Sequence, residues 1–259
     1  MQQELLNTDF KLEEIVSKLL TYHVCIVPGF IAGQELGIFR QDFDDILNDT
    51  DVDVIEKPHQ VTAYFSPGRL KAREVDGINL NLGGNELVEK YDSLEKLTKT
   101  PMFAEIVRGY FGDEEAVYPV RWQVLRSTGT PEVKNNAPYT LHFDRQRFLK
   151  FYTPLTDVSD GDGSLTFLFG EQHWQQGKSG RENERARVND WPKINNSYEE
   201  QFDNENMTAL ELKAGDLVIF DSDVPHKQGE ILSGKAREVI ILESQTLLDY
   251  DDFKQARAI

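Results

Sequence analysis

Cys25 is the only cysteine in the 259-residue chain. It allows no internal disulfide and no thiolate-based metal or redox motif, and its flanks, VCIVPGF, are those of a buried structural thiol. Positive charge is also scarce: 28 lysines and arginines stand against 45 aspartates and glutamates, a formal net charge of −17. The imbalance is spread along the chain and not gathered in a tail. Such a surface repels phosphate backbones and anionic membranes, which argues against nucleic-acid and membrane partners. A cationic or zwitterionic small-molecule substrate is compatible with it, and so is plain solubility. Long hydrophobic runs are missing too: nothing approaches bilayer-spanning length. The N-terminal MQQELLNTDF has neither a positive n-region nor an apolar h-region, so the expectation is a soluble, cytoplasmic protein. Repeats, low-complexity tracts and linkers are absent. Residues 1–259 therefore read as a single domain, with a helical part over 1–112 and a β-barrel core over about 118–246.

In the first part, Phe10, Leu12, Ile15, Val16, Leu19 and Leu20 fall at helical spacing from Asp9, with Thr8 or Asp9 placed to cap the first turn. VCIVPGF reads as a brief strand ended by Pro28-Gly29. Leu36, Phe39, Phe43, Ile46 and Leu47 mark a second helix with an acidic outer face. From Asp49 to Asp92 periodicity is poor, and Pro58, Pro67-Gly68 and Gly83-Gly84 interrupt it, the pattern of a binding loop or lid. Ser93 to Gly112 returns to helix in two pieces, with Thr100 as a cap, Pro101 in the first turn and Gly112 at the close.

Beyond Gly112 the pattern is that of strands. VRWQVLRST, YTLHFD, FLKFYTPLT, SLTFLFG, TALEL, DLVIF and REVIILES are short, rich in β-branched and aromatic residues, and divided by Gly, Asp, Asn or Pro. Helices first and antiparallel-type strands afterwards predict an α+β fold in which helices pack against a double-sheet roll.

Within YTLHFD, His142 and Asp144 stand two residues apart, so a strand there turns both to one face while Phe143 points away. That is part of a metal site, although a strand-end histidine bonded to a nearby carboxylate gives the same pattern. His226 follows the apolar strand DLVIF some eighty residues on. In a jelly-roll or cupin-type barrel, distant strands lie side by side across the mouth, so His226 can face the other two. Two imidazoles and one carboxylate suit a non-haem Fe(II) ion with open positions. Eleven residues further, Arg237 leads the apolar strand REVIILES. An inward guanidinium there calls for an anion, and its planar fork suits a carboxylate; an arginine at a strand mouth looking into water is the other reading.

These residues carry a resemblance. His142-Phe143-Asp144, the block DGDGSLTFLFGEQHW, His226 with Arg237 eleven places later, and the opening LLTYHVCIVPGF are similar to the phytanoyl-CoA dioxygenase-like branch of the Fe(II)/2-oxoglutarate-dependent oxygenases. The resemblance implies a double-stranded β-helix (jelly roll, cupin-like) with N-terminal and flanking helices. It implies Fe(II) held by His142, Asp144 and His226, and 2-oxoglutarate held through its C5 carboxylate by Arg237. The reaction it implies consumes O2, releases succinate and CO2, and hydroxylates a C–H bond of a small metabolite. Gln123 matches a position from which some family members bond the co-substrate; an amide bonded to a neighbouring strand is the alternative. Asp144 stands where halogenating relatives carry a small residue, which favours hydroxylation or a related oxidation.

The sequence departs from the family in two places. Phe169-Gly170-Glu171-Gln172-His173 replaces the usual Pro-Gly-Ser-His, which alters the turn and leaves the role of His173 open; with the triad complete without it, His173 reads as a turn or supporting residue rather than a ligand. Residues 175–206 form a long charged insertion, either a lid or a solvated excursion. His23 and His59 read as surface or ordinary hydrogen-bonding residues. Arg145, Arg147 and Lys150 cluster after the ligands, to meet an anionic part of a substrate or to line a solvated edge. A free amino acid or derivative is the favoured substrate. Two other functions fit the same residues: a cupin-type metalloenzyme without O2 chemistry, and a non-catalytic jelly-roll binding protein.

Overall fold

A computed structural model of the chain describes residues 2–6, 11–47, 53–56, 71–75, 79–83, 91–112, 116–129, 139–188 and 207–249. Helices come first: α1 (Gln2–Leu5), α2 (Leu12–Tyr22), α3 (Gly33–Leu47), α4 (Asp92–Thr98) and α5 (Pro101–Phe111). Residues 7–10, with the expected Thr8 or Asp9 cap, lie outside the described residues. The N-cap of α2 is Lys11, which makes no side-chain cap bond. Thr100 does occupy the N-cap of α5, but its hydroxyl donates to the Lys96 carbonyl at 2.9 Å and caps nothing. Gly112 ends α5 at φ 96°, as its position after Phe111 predicts.

The strands are β1 (Val24–Val27), β2 (Asp53–Glu56), β3 (Lys71–Val75), β4 (Asn79–Gly83), β5 (Ala116–Ser127), β6 (Leu149–Pro154), β7 (Leu165–Phe167), β8 (Thr208–Ala209), β9 (Leu217–Asp221), β10 (His226–Gln228) and β11 (Arg237–Thr246). The larger sheet runs β1-β9-β6-β11-β5-β4-β3-β2 and the smaller β10-β7-β8. All described pairs are antiparallel except β2 with β3. The expected irregular stretch between Asp49 and Asp92 is thus partly strand: β2, β3 and β4 extend the large sheet beyond β5.

Period-two alternation sorts the strands' side chains into two cores. Cys25, Val27, Phe151, Ile219, Ile240 and Leu242 point outward and meet Ile15, Leu19, Phe39, Phe43, Phe103 and Ile106 of the helices. Val24, Ile26, Tyr152, Val218, Phe220 and Val239 point inward and meet Leu165, Phe167, Leu210 and Leu212 between the sheets. Each large side chain so buried contributes about 1.5–3 kcal/mol. The sheets, covered by helices on one face and by each other on the second, form the expected double-stranded β-helix of α+β class. Cys25 is fully buried, and burial pushes its thiol up to about 12, as expected of a structural residue.

The charged stretch after β7 begins as a helix, α6 (Glu171–Val188). Trp174, Gly177 and Arg181, at helical spacing, form its buried stripe. A Cβ at Gly177 would lie 1.9 Å from the Asp223 carbonyl oxygen, so only glycine lets the helix backbone approach that turn. Residues 189–206 lie outside the described residues. Among those described, no helix is long and apolar enough to cross a membrane.

Candidate metal centre

His142 and His226 meet at a single antiparallel bridge. The His142 N–H donates to the His226 carbonyl at 3.0 Å and the His226 N–H returns to the His142 carbonyl at 2.8 Å. Directly opposed residues of such a pair share a face, and the two rings stand 4.5 Å apart. The expected strand through Asp144 does not form. After the bridge the chain bends away, and the Asp144 N–H donates to the Ser222 carbonyl at 3.1 Å. Asp144 still reaches the same point. One ligand atom from each of His142, Asp144 and His226 falls within 4.8 Å of the others.

Each imidazole is oriented from behind. His142 Nδ1 lies 2.7 Å from the Thr140 carbonyl and His226 Nδ1 lies 2.8 Å from that of Val224. A carbonyl only accepts, so both protons sit on Nδ1 and both Nε2 lone pairs face Asp144. Asp144 Oδ1 stands 3.8 Å from His142 Nε2 and 3.9 Å from His226 Nε2, too far for a hydrogen bond to either. The reading of a histidine merely bonded to a neighbouring carboxylate therefore fails. Burial lowers the pKa of both histidines, that of His226 to about 3 with help from His142. Burial alone would raise the pKa of Asp144. The ammonium of Lys150 outweighs it and holds that carboxyl at about 2. Two neutral nitrogens and one carboxylate thus converge, a donor set that fits a divalent first-row ion. The rings of Phe220 and Phe167, 5.1 and 6.1 Å from His226, wall the site with apolar surface.

Arg237 lies inside the roll, 3% exposed. Its Nη1 donates to the Gly163 carbonyl at 3.1 Å; its Nη2 donates to Ser127 Oγ at 3.3 Å and Gln228 Oε1 at 2.6 Å. All three of these partners are neutral, and among the described residues its Nε has none. It makes no ion pair among the described residues. Gln228 Nε2 and Ser164 Oγ are likewise buried without partners. A buried cation among unused donors fits an incoming carboxylate. Gly163 makes room for it: at φ 80°, a Cβ would lie 2.7 Å from Ile231 Cγ1 and 3.2 Å from Arg237 Cδ. Gln123 faces the same interior, where its Nε2 donates to Glu243 Oε1 on the adjacent strand at 3.4 Å.

Two of the three basic residues after the ligands, Arg147 and Lys150, neither line a solvated edge nor stand free to meet an anion. Arg147 Nε and Nη2 donate to the buried Asp221 Oδ2 at 2.9 and 2.7 Å, and Tyr110 OH donates to the same carboxylate at 2.7 Å. Lys150 Nζ sits 2.5 Å from Asp144 Oδ2. Arg181 of α6 reaches Asp223 through Nε at 2.7 Å and Nη2 at 3.0 Å. These pairs brace the turn that leads into His226. His23 is no surface residue: 6% exposed, it stacks on Trp174 at 4.0 Å and bonds Tyr110 and Glu171. His173, on the first turn of α6, contacts Gln176 at 3.2 Å and stands outside the metal cluster. His59 lies outside the described residues. Sequence reasoning missed Gln228 and Ser127; the one available signal was the position of Gln228 two residues after His226 on the same face.

No curated protein matches the sequence. Solved structures do match the fold. One is the epimerase SnoN in complex with Fe3+, alpha ketoglutarate and nogalamycin RO, at 14% identity and a TM-score of 0.59 over 90% of this chain and 83% of that one. A second is HygX from Streptomyces hygroscopicus with nickel, 2-oxoglutarate and hygromycin B bound, at 14% identity and 0.57 over 90% and 87%. A third is the non-heme alpha ketoglutarate dependent carbocyclase SnoK from nogalamycin biosynthesis, at 15% identity and 0.59 over 90% and 83%. Residues 24–239 match the family described as phytanoyl-CoA dioxygenase, PhyH, and the chain belongs to that family.

Proposed function

We propose that this protein is an iron(II)- and 2-oxoglutarate-dependent dioxygenase that hydroxylates a C–H bond of a small metabolite. The observation that carries the reading is the pairing of two sites in one roll: a His-His-Asp cluster and a buried arginine that no carboxylate meets among the described residues. In this reading His142, Asp144 and His226 hold the ion, His142 and His226 through Nε2 and Asp144 through Oδ1. Arg237, steadied by Gln228, Ser127 and the Gly163 carbonyl, takes the far carboxylate of the keto-acid. Gln123 is a further co-substrate contact. Bound there, iron with 2-oxoglutarate would supply O2 activation, with succinate and CO2 as co-products and one oxygen atom available to the substrate. The protein's own part is to present neutral imidazoles, to keep Asp144 ionised and to exclude water with Phe167 and Phe220.

The acidic balance of the chain supports a free amino acid or derivative as substrate. SnoN and SnoK, an epimerase and a carbocyclase, support a second outcome at such a site, epimerisation or ring closure of the substrate in place of hydroxylation. Coupled 2-oxoglutarate turnover across a metabolite panel, followed by mass analysis of the product, tests both. A gain of one oxygen supports hydroxylation, and loss of two hydrogens or an unchanged mass supports the second outcome. Substrate conversion that persists without O2 and without loss of 2-oxoglutarate would replace both with Lewis-acid chemistry, and no conversion of any panel member would favour a binding protein.

A further inference from the structure

Lys150 places an ammonium beside a site that reads as a cation site. Its Nζ is 2.5 Å from Asp144 Oδ2 and 3.8 Å from Glu243 Oε1, and it stands over the Phe220 ring at 5.8 Å from the centroid. By charge alone this lysine opposes a divalent ion, so metal affinity does not explain it. Orientation does. Lys150 and Glu243 are register partners on β6 and β11, and Glu243 is fully buried and takes a hydrogen bond from Gln123 at 3.4 Å. The ammonium is held between two carboxylates and a ring, and cannot swing away without leaving Glu243 behind.

We propose that Lys150 is a positioning residue for the metal-holding carboxylate: it takes Asp144 Oδ2 and leaves Oδ1 as the one oxygen turned to the imidazoles. The proposal rests on the metal reading above. A carboxylate with both oxygens free can chelate through both or rotate off the site, and either consumes or loses a coordination position. With Oδ2 in an ion pair, Asp144 contributes a single bond and further positions stay open. The Gln123–Glu243–Lys150 row behind it fixes that choice from the large sheet.

The test is Co(II) binding by the metal-free full-length protein, read as affinity and as the ligand-field absorption spectrum, for wild type, K150M and K150R. K150M is expected to bind Co(II) about tenfold more weakly, with a spectrum changed in intensity and band position. K150R, which keeps charge and reach, restores both. Equal or tighter binding by K150M with the wild-type spectrum would show that Lys150 acts only as an opposing charge and would overturn the proposal. Weaker binding with an unchanged spectrum means general damage and overturns it equally. Wild type that takes up no Co(II) would remove the metal reading itself, a result distinct from either. Should K150M not fold, K150Q is read against the same outcomes.

Discussion

His142 and His226 exchange both backbone hydrogen bonds, at 3.0 and 2.8 Å, in a bridge that belongs to no longer strand at the His142 end. This single rung brings together imidazoles far apart in the chain. The fold needs only local precision there, because Thr140 and Val224 carbonyls, each two residues before its histidine, aim the rings. Everything else in the candidate site is placed relative to that rung.

Arg237 carries a buried charge that no carboxylate neutralises among the described residues. Replacing it with methionine is expected to raise the melting temperature of the protein measured without 2-oxoglutarate, since an uncompensated charge is removed. The same variant loses the thermal stabilisation that 2-oxoglutarate gives the wild type, and its co-substrate Kd rises by about 100-fold or more, roughly 2.7 kcal/mol. Melting curves with and without 2-oxoglutarate check both. An unchanged co-substrate response would mean that Arg237 is not the anchor.

Gly163 sits at φ 80° with Ile231 and Arg237 against its open side. G163A is expected to cost about 1–3 kcal/mol by denaturant unfolding, through backbone strain and the contact at 2.7 Å together. It also displaces the arginine, so 2-oxoglutarate binding weakens more than the binding of metal alone. Equal losses for the two ligands would contradict this account of the glycine.

Burial and the neighbouring Asp221 raise the carboxyl of Asp223 to about 6, against Arg181. Its pKa in the unfolded chain is the ordinary one, about 3.9, so between these values the folded protein binds more protons than the unfolded. Asp223's contribution to stability is therefore present below pH 4, falls as pH rises through 6, and is level above. Melting temperature against pH for wild type and D223N checks the sign. The difference between the two curves should slope only across that window; a flat difference would place Asp223's titration elsewhere.

The convergence of His142, Asp144 and His226 was legible because part of its signal is local, His142 and Asp144 sharing a tripeptide. The two cores were not legible, because DLVIF and REVIILES are apolar on both faces and a continuous apolar run does not say which side of a strand faces in. Nor were β2 to β4, because four- and five-residue strands among prolines and glycines give too short a run for periodicity to register. β10 was missed likewise, being only His226 to Gln228. The ion pair of Arg147 with Asp221 and the approach of Lys150 to Glu243 were hidden because these residues become neighbours only through strand pairing. The irregular course of Asp144 was missed because a bend after a single bridge depends on the Ser222 carbonyl, which sequence spacing cannot show.

The central claim is that His142, Asp144 and His226 hold one metal ion. Equilibrium dialysis of metal-free protein against Fe(II) under anaerobic conditions tests it most directly, for the wild type and for H142A, D144A and H226A. The account predicts one ion per wild-type chain and an affinity reduced by more than about 100-fold in each variant, with each variant still folded. One ion per chain, held as tightly by all three variants as by the wild type, would contradict it.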